Sequence, residues 1–217
     1  MLDKLPILFT LMLLPICCAA CGHDSRQQQP SSTSGETTPP AAVVQTVNKK
    51  LPPLPEHPTG TAFIVVSKRD RTLSVYDRNS TGDTVMVAQY PCCMGKNLGD
   101  KRRRGDMRTP ESPAGRPFKI TMIQDASTWK HDFHDGRGNI LSYGHWFLRL
   151  ATPGHKGIGI HGSTNNEGTV PGRASEGCIR LLDKDIITLK EHFAYVGMPV
   201  TVQAEGQAPQ DWEQRAR

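Results

Sequence analysis

Between Gly157 and Leu181 the chain reads GIGIHGSTNNEGTVPGRASEGCIRL, and this stretch constrains what the rest can fold into. Ile158 and Ile160 alternate with glycine and run directly into His161, the pattern of a buried strand that presents a histidine at its end. Gly162, Gly168, Gly172 and Gly177 make the middle a loop. Cys178 and Arg180 follow, two residues apart, so an extended segment would turn them to the same sheet face. A thiol and an imidazole held close on rigid strands are the minimum parts for nucleophilic catalysis. The remaining residues are those that would carry this pair and bring it to a substrate.

Residues 1–21 read MLDKLPILFTLMLLPICCAAC. The apolar run from Leu5 to Ala20 has the form of a secretory signal and is short for a membrane span. Its end, Cys18-Ala19-Ala20-Cys21, resembles a bacterial lipobox, which makes Cys21 the expected lipid anchor and the first residue of the processed chain. Cys18 stands where leucine is usual, leaving Cys17 and Cys18 as secondary anchor candidates and a plain cleaved signal as the alternative. An acyl anchor would hold the protein on a membrane without a spanning helix. The implied location is the exported bacterial cell envelope, on the periplasmic face of a membrane. Residues 22–58 are rich in Gln, Ser, Thr and Pro and cannot bury enough apolar surface to fold, so they read as a disordered tether.

From residue 59 the pattern changes, and a catalytic domain is expected over 59–204. Thr61–Ser67 and Thr72–Tyr76 are β-rich runs joined by polar residues and predict a hairpin; Asp83–Tyr90 predicts a third strand. Pro117–Ile123, His145–Leu150 and Pro199–Gln203 predict further strands. Asp183–Tyr195 predicts a single principal helix, capped by Asp183, with Ile186, Leu189, Phe193 and Val196 at helical spacing. Many short strands with one helix indicate a mainly β sandwich or barrel. Residues 205–217 read as a polar tail.

The formal net charge of +5 is compatible with an anionic polymer or membrane as neighbour. It is a poor match for nucleic acid, because Lys101-Arg102-Arg103-Arg104 is an isolated run without an aromatic platform, and it reads as a solvated loop. Cys92 and Cys93 are adjacent and read as small buried residues at a strand end; Cys178 has no evident mate and reads as reactive. His131 and His134 lie three apart in a Gly-rich context and read as solvated rather than metal-binding. Neither a metal nor a cofactor is expected.

A thiol becomes a competent nucleophile when a base or a positive charge favours its thiolate. His161 is the candidate base and Arg180 the candidate cation. Gly177, just before Cys178, would let a substrate carbonyl approach backbone N–H groups that form an oxyanion hole. His161-Gly162 followed by Ser175-Glu176-Gly177-Cys178-Ile179-Arg180-Leu181 resembles the signature of the YkuD-type L,D-transpeptidase domain. Thr109-Pro110-Glu111, Gly115 and Phe118-Lys119-Ile120 resemble the same family's upstream segment, with Ser112-Pro113-Ala114 inserted before the glycine.

The resemblance covers roughly residues 60–203. It implies a β-sandwich-like catalytic domain and a Cys–His enzyme acting on peptidoglycan stem peptides. Cys178 would form a thioacyl-enzyme at stem position three, D-alanine would leave, and the amine of a second stem would complete a 3→3 cross-link. His161 would act as base and then acid, with the Gly162 carbonyl orienting its ring. Ser175, Arg180, Tyr143 and His145 would shape the substrate groove. Two alternatives stay open: an L,D-carboxypeptidase or endopeptidase on the same scaffold, and an inactive wall-binding lipoprotein. Glu176 departs from the family pattern, which often has histidine there; its carboxylate would disfavour a thiolate unless paired with Arg173 or Arg180.

Overall fold

The structure is a computed structural model and describes residues 51–217. Cys21, the signal and most of the tether lie outside those residues. The elements are β1 (Phe63–Ser67), β2 (Thr72–Arg78), β3 (Thr84–Pro91), β4 (Cys93–Gly95), β5 (Phe118–Asp125), β6 (Lys130–Asp132) and β7 (Asn139–Leu141). There follow β8 (Trp146–Leu150), β9 (Gly159–His161), β10 (Gly172–Ser175), β11 (Ile179–Arg180), α1 (Asp183–His192), β12 (Pro199–Val202) and α2 (Asp211–Ala216). Ten strands form one mixed sheet in the order β10-β4-β11-β9-β8-β5-β12-β1-β2-β3, and β6 pairs only with β7. The expectation of a mainly β fold with one principal helix holds.

The β1–β2 hairpin forms as the sequence predicts, with Phe63 opposite Tyr76 and Ser67 opposite Thr72. Strand alternation sends Ile64, Val66, Leu73 and Val75 into the main core, where they meet Ile120, Leu148, Ile160, Ile179 and the helix residues Ile186 and Leu189. The helix ends earlier than expected: Phe193 is its C-cap, and Val196 is 63% exposed rather than part of the apolar stripe. Asp183 does not cap it. Leu182 takes the N-cap position, and Asp183 instead accepts hydrogen bonds from the Ser163 N–H (2.6 Å) and the Thr164 hydroxyl. A residue read as a local cap therefore fastens α1 to the loop that follows His161.

Residues 205–217 are not simply a polar tail. They contain α2, whose Ala216 and Trp212 pack with Phe63, Val65 and Tyr76. The Glu213 carboxylate accepts the Gln210 N–H (3.2 Å), closing the first turn, and the Gln203 amide (2.7 Å). The physical reason lies in β1, where FIVVS is apolar on both faces. The face opposite the main core needs a cover, and α2 supplies it.

Candidate active site

β9 and β11 run parallel and side by side, with Ile160 opposite Ile179 and His161 opposite Arg180. The Leu181 N–H donates to the His161 carbonyl at 2.8 Å, locking the two strand ends together. The sequence expectation that a buried strand delivers His161 to its end is met. Gly159 is needed in that strand because a Cβ there would press into the Phe147 ring and stand 2.7 Å from the Leu148 carbonyl. Gly162 is pinned from two sides. Its N–H donates to the Tyr143 carbonyl (2.7 Å), and a Cβ would lie 2.8 Å from the Gly144 Cα.

His161 is 3% exposed. Its Nδ1 lies 2.7 Å from the Gly162 carbonyl oxygen. A carbonyl only accepts, so Nδ1 carries the proton and Nε2 keeps a lone pair. Phe147 stacks on the ring at 5.7 Å between centroids, and Tyr143 leans against it at 4.9 Å. Burial, seconded by the Arg180 charge, pushes the imidazole down to about 3. The ring is a neutral base throughout the physiological range.

Cys178 sits in the turn between β10 and β11. Ser175 builds that turn: its hydroxyl donates to the Cys178 carbonyl (2.6 Å) and accepts the Gly177 N–H (3.1 Å). Gly177 has φ +136°, a conformation L side chains rarely adopt, and a Cβ would stand 2.7 Å from the Arg108 carbonyl oxygen. The Gly177 N–H, expected to help form an oxyanion hole, is thus engaged by Ser175. The half-buried thiol lies 3.4 Å from the Gly157 carbonyl oxygen. Burial pushes the thiol up; the Gly159 N–H, Arg180 and Lys101 pull the other way. Thiol and imidazole are both uncharged at rest.

Cys178, His161, Ser175, Arg180 and Tyr143 share one cavity of about 720 Å³, and His145 is not among its walls. His145 is exposed and stands just before β8, which starts at Trp146 rather than at His145, and its backbone carbonyl accepts the Ala126 N–H (2.8 Å). Ser175 lines the cavity with its hydroxyl already committed to the backbone. Arg180 is 2% exposed. One terminal nitrogen donates to the Thr169 hydroxyl (2.9 Å), Nε has no partner, and the guanidinium lies 5.6 Å from the centre of the Phe133 ring. Among the described residues no carboxylate pairs with it, so it can receive an anionic substrate group.

Three features escaped the sequence reading. Lys101, expected to be solvated, is 7% exposed and pairs with Asp106 at 2.8 Å. Burial opposes ionisation of Asp106, but Lys101 and the N–H groups of Arg102, Arg103 and Arg108 hold its carboxyl well below the usual carboxylate range. The only sequence signal was an aspartate two residues after the basic run, close enough to fold back onto it. The segment around His131, also read as solvated, forms the β6–β7 hairpin, and His131 and Phe133 line the cavity. Glu176 pairs neither with Arg173, which Glu205 holds at 2.6 Å, nor with Arg180. It lies 3.3 Å from His131 Nε2. Cys92 and Cys93 are fully buried and free, as expected of small strand-end residues.

A mainly β fold that presents a thiol and a neutral imidazole in a cation-lined cavity defines a cysteine–histidine site of the kind suited to acyl transfer. The profile of the YkuD family, the L,D-transpeptidase catalytic domain, matches residues 61–202, and the chain belongs to that family. A search of curated proteins gives no match.

Similar solved structures include an L,D-transpeptidase from Mycobacterium smegmatis, 19% identical over 66% of this chain and 58% of that one, TM-score 0.47. Bd1075 of Bdellovibrio bacteriovorus is 20% identical over 76% of this chain and 58% of its own, TM-score 0.48. The helical cell shape determining protein Pgp2 of Campylobacter jejuni is 20% identical over 72% of this chain and 52% of its own, TM-score 0.47. The chain therefore spans little more than half the length of these three structures.

Proposed function

We propose that this protein is a peptidoglycan L,D-transpeptidase that joins stem peptides through 3→3 cross-links. The observation that carries the reading is one cavity lined by both Cys178 and a neutral, Nδ1-protonated His161, together with Arg180, which pairs with no carboxylate among the described residues. Cys178 Sγ attacks the carbonyl of the L-centred residue at stem position three while its proton passes to His161 Nε2. The C–N bond to D-alanine breaks, and the departing amine takes that proton, leaving a thioester. An uncharged amine of a second stem then attacks the thioester carbonyl. The C–S bond breaks, and the surplus N–H proton returns through His161 to the sulfur. Gly162 holds the ring, Gly177 and Ser175 shape the turn that presents the thiol, and Arg180 receives a donor carboxylate. Tyr143 positions the imidazole from its free side. The reading includes export and anchoring by a lipid on Cys21 at the periplasmic face of a membrane, supported by the Cys18–Cys21 sequence.

Incubation with tetrapeptide muropeptides tests this. Cross-linked dimers that depend on Cys178 are the expected product. Tripeptides alone would instead make the enzyme an L,D-carboxypeptidase. No acyl-enzyme on the wild-type protein would refute both.

A further inference from the structure

The walls of the cavity are cationic with one exception. Arg104, Lys156 and Arg180 contribute positive groups, Lys101 is offset by Asp106 behind it, and Glu176 is the single carboxylate among the lining residues. A carboxylate-bearing donor suits the basic walls. The second substrate of an acyl transfer to nitrogen is different, because it arrives as an ammonium, and in a cationic cavity it is repelled everywhere except at Glu176. We infer that Glu176 is the residue that recognises the ammonium of the acceptor, which rests on the transpeptidase reading proposed above.

Three observations place it for that task. Glu176 stands two residues before the nucleophile and lines the same cavity as Cys178, so an ammonium docked on it shares that cavity with the thioester. Its charge reaches the thiol, being among the causes that raise Cys178. No lysine or arginine pairs with it among the described residues: Arg173 is held by Glu205 and Arg180 by Thr169. Its neighbour is His131, at 3.3 Å, whose side chain is 32% exposed against 44% for Glu176. Both partners of this contact are partly exposed, so it is an exchangeable one that an incoming ammonium can displace. His131 rides on the β6–β7 hairpin against Phe133 (4.6 Å between ring centres) and Tyr143 (6.3 Å). The resting contact keeps the carboxylate aimed into the cavity until the acceptor arrives. Glu176 binds and orients the ammonium; the docked group gives up one proton to solvent, and the free amine so formed attacks the thioester, with Glu176 taking no part in the bond changes.

The test separates the two half-reactions in the full-length protein. Acylation of Cys178 by a tetrapeptide donor is followed by mass spectrometry, and transfer is followed as a function of a stem-peptide amine acceptor. In Glu176→Gln the acceptor KM rises about ten-fold or more, the loss expected for one charge-assisted hydrogen bond, while the donor KM shifts far less. Glu176→Asp restores part of the acceptor affinity, Glu176→Lys loses more than Glu176→Gln, and His131→Ala does not raise the acceptor KM.

An unchanged acceptor KM in Glu176→Gln, or a donor KM that rises equally, overturns the inference and leaves the transpeptidase reading standing. A parallel loss in His131→Ala would assign the pair to holding the hairpin and overturn it as well. Wild-type protein that acylates but transfers only to water, or that never acylates, overturns the transpeptidase reading and the inference with it.

Discussion

The charge state of the resting pair gives the sharpest prediction. Many cysteine nucleophiles work as a thiolate–imidazolium ion pair. Here His161 is pushed from an ordinary 6.5 down to about 3, which disfavours the imidazolium by about 5 kcal/mol. Burial also raises the thiol, so an ion pair would have to recover both costs.

Two pH profiles follow. Alkylation of Cys178 by iodoacetamide, read on its own peptide by mass spectrometry, climbs about ten-fold per pH unit between roughly pH 5 and 8, because only the thiolate reacts. The acylation rate per donor, in contrast, stays flat as pH falls through 6.5. The neutral thiol and neutral imidazole both persist there, and the acid limb moves toward the depressed histidine value. His161→Ala keeps the slope of the alkylation profile and a folded circular-dichroism spectrum, and loses about 10²–10⁴-fold in turnover, the usual worth of a general base. A plateau of alkylation below pH 7 that disappears in His161→Ala would refute the neutral pair. Retained turnover in that variant would transfer the base role to another residue, with His131 and His155 the other histidines on the cavity wall.

Gly177→Ala forces φ +136° on a residue with a side chain and brings a Cβ to 2.7 Å from a backbone oxygen. Such strain costs about 1–3 kcal/mol, a fall of roughly 3–10 °C in Tm for a domain of this size, and acylation is lost with the turn; an unshifted Tm in calorimetry would contradict the geometry. Cys21→Ser releases the protein from the membrane fraction of its host, and unchanged fractionation would remove the lipid anchor from the proposal.

The legible parts of this chain were those written in short-range pattern. The β1–β2 hairpin follows from two alternating apolar runs around a polar turn, and β9 follows from Ile158 and Ile160 flanking Gly159 just before His161. The match of residues 175–181 to a family signature pointed to the segment proposed to carry the nucleophile. What stayed hidden depends on partners distant in sequence. Asp183 looks like a helix cap until Ser163 and Thr164, some 20 positions away, claim its carboxylate. Lys101 looks solvated in a run of four basic residues until the chain folds back and buries it beside Asp106 and Arg108. His131 has no local mark of a cavity wall; only the packing of its hairpin brings it to Glu176. His145 shows the converse error, since nearness in sequence to a cavity strand did not put its side chain in the cavity.

Chemical identity was therefore decided by the sequence alone: a thiol, an imidazole and a guanidinium in one glycine-rich stretch, with the glycines needed where no Cβ fits. Tertiary structure alone decided the chemical state. Neutral His161 is a product of burial against Phe147 and Tyr143, the raised thiol a product of the walls around it, and the lack of a carboxylate on Arg180 among the described residues a product of where those carboxylates went. Those are properties of surroundings, and surroundings form only when residues far apart in the chain pack together.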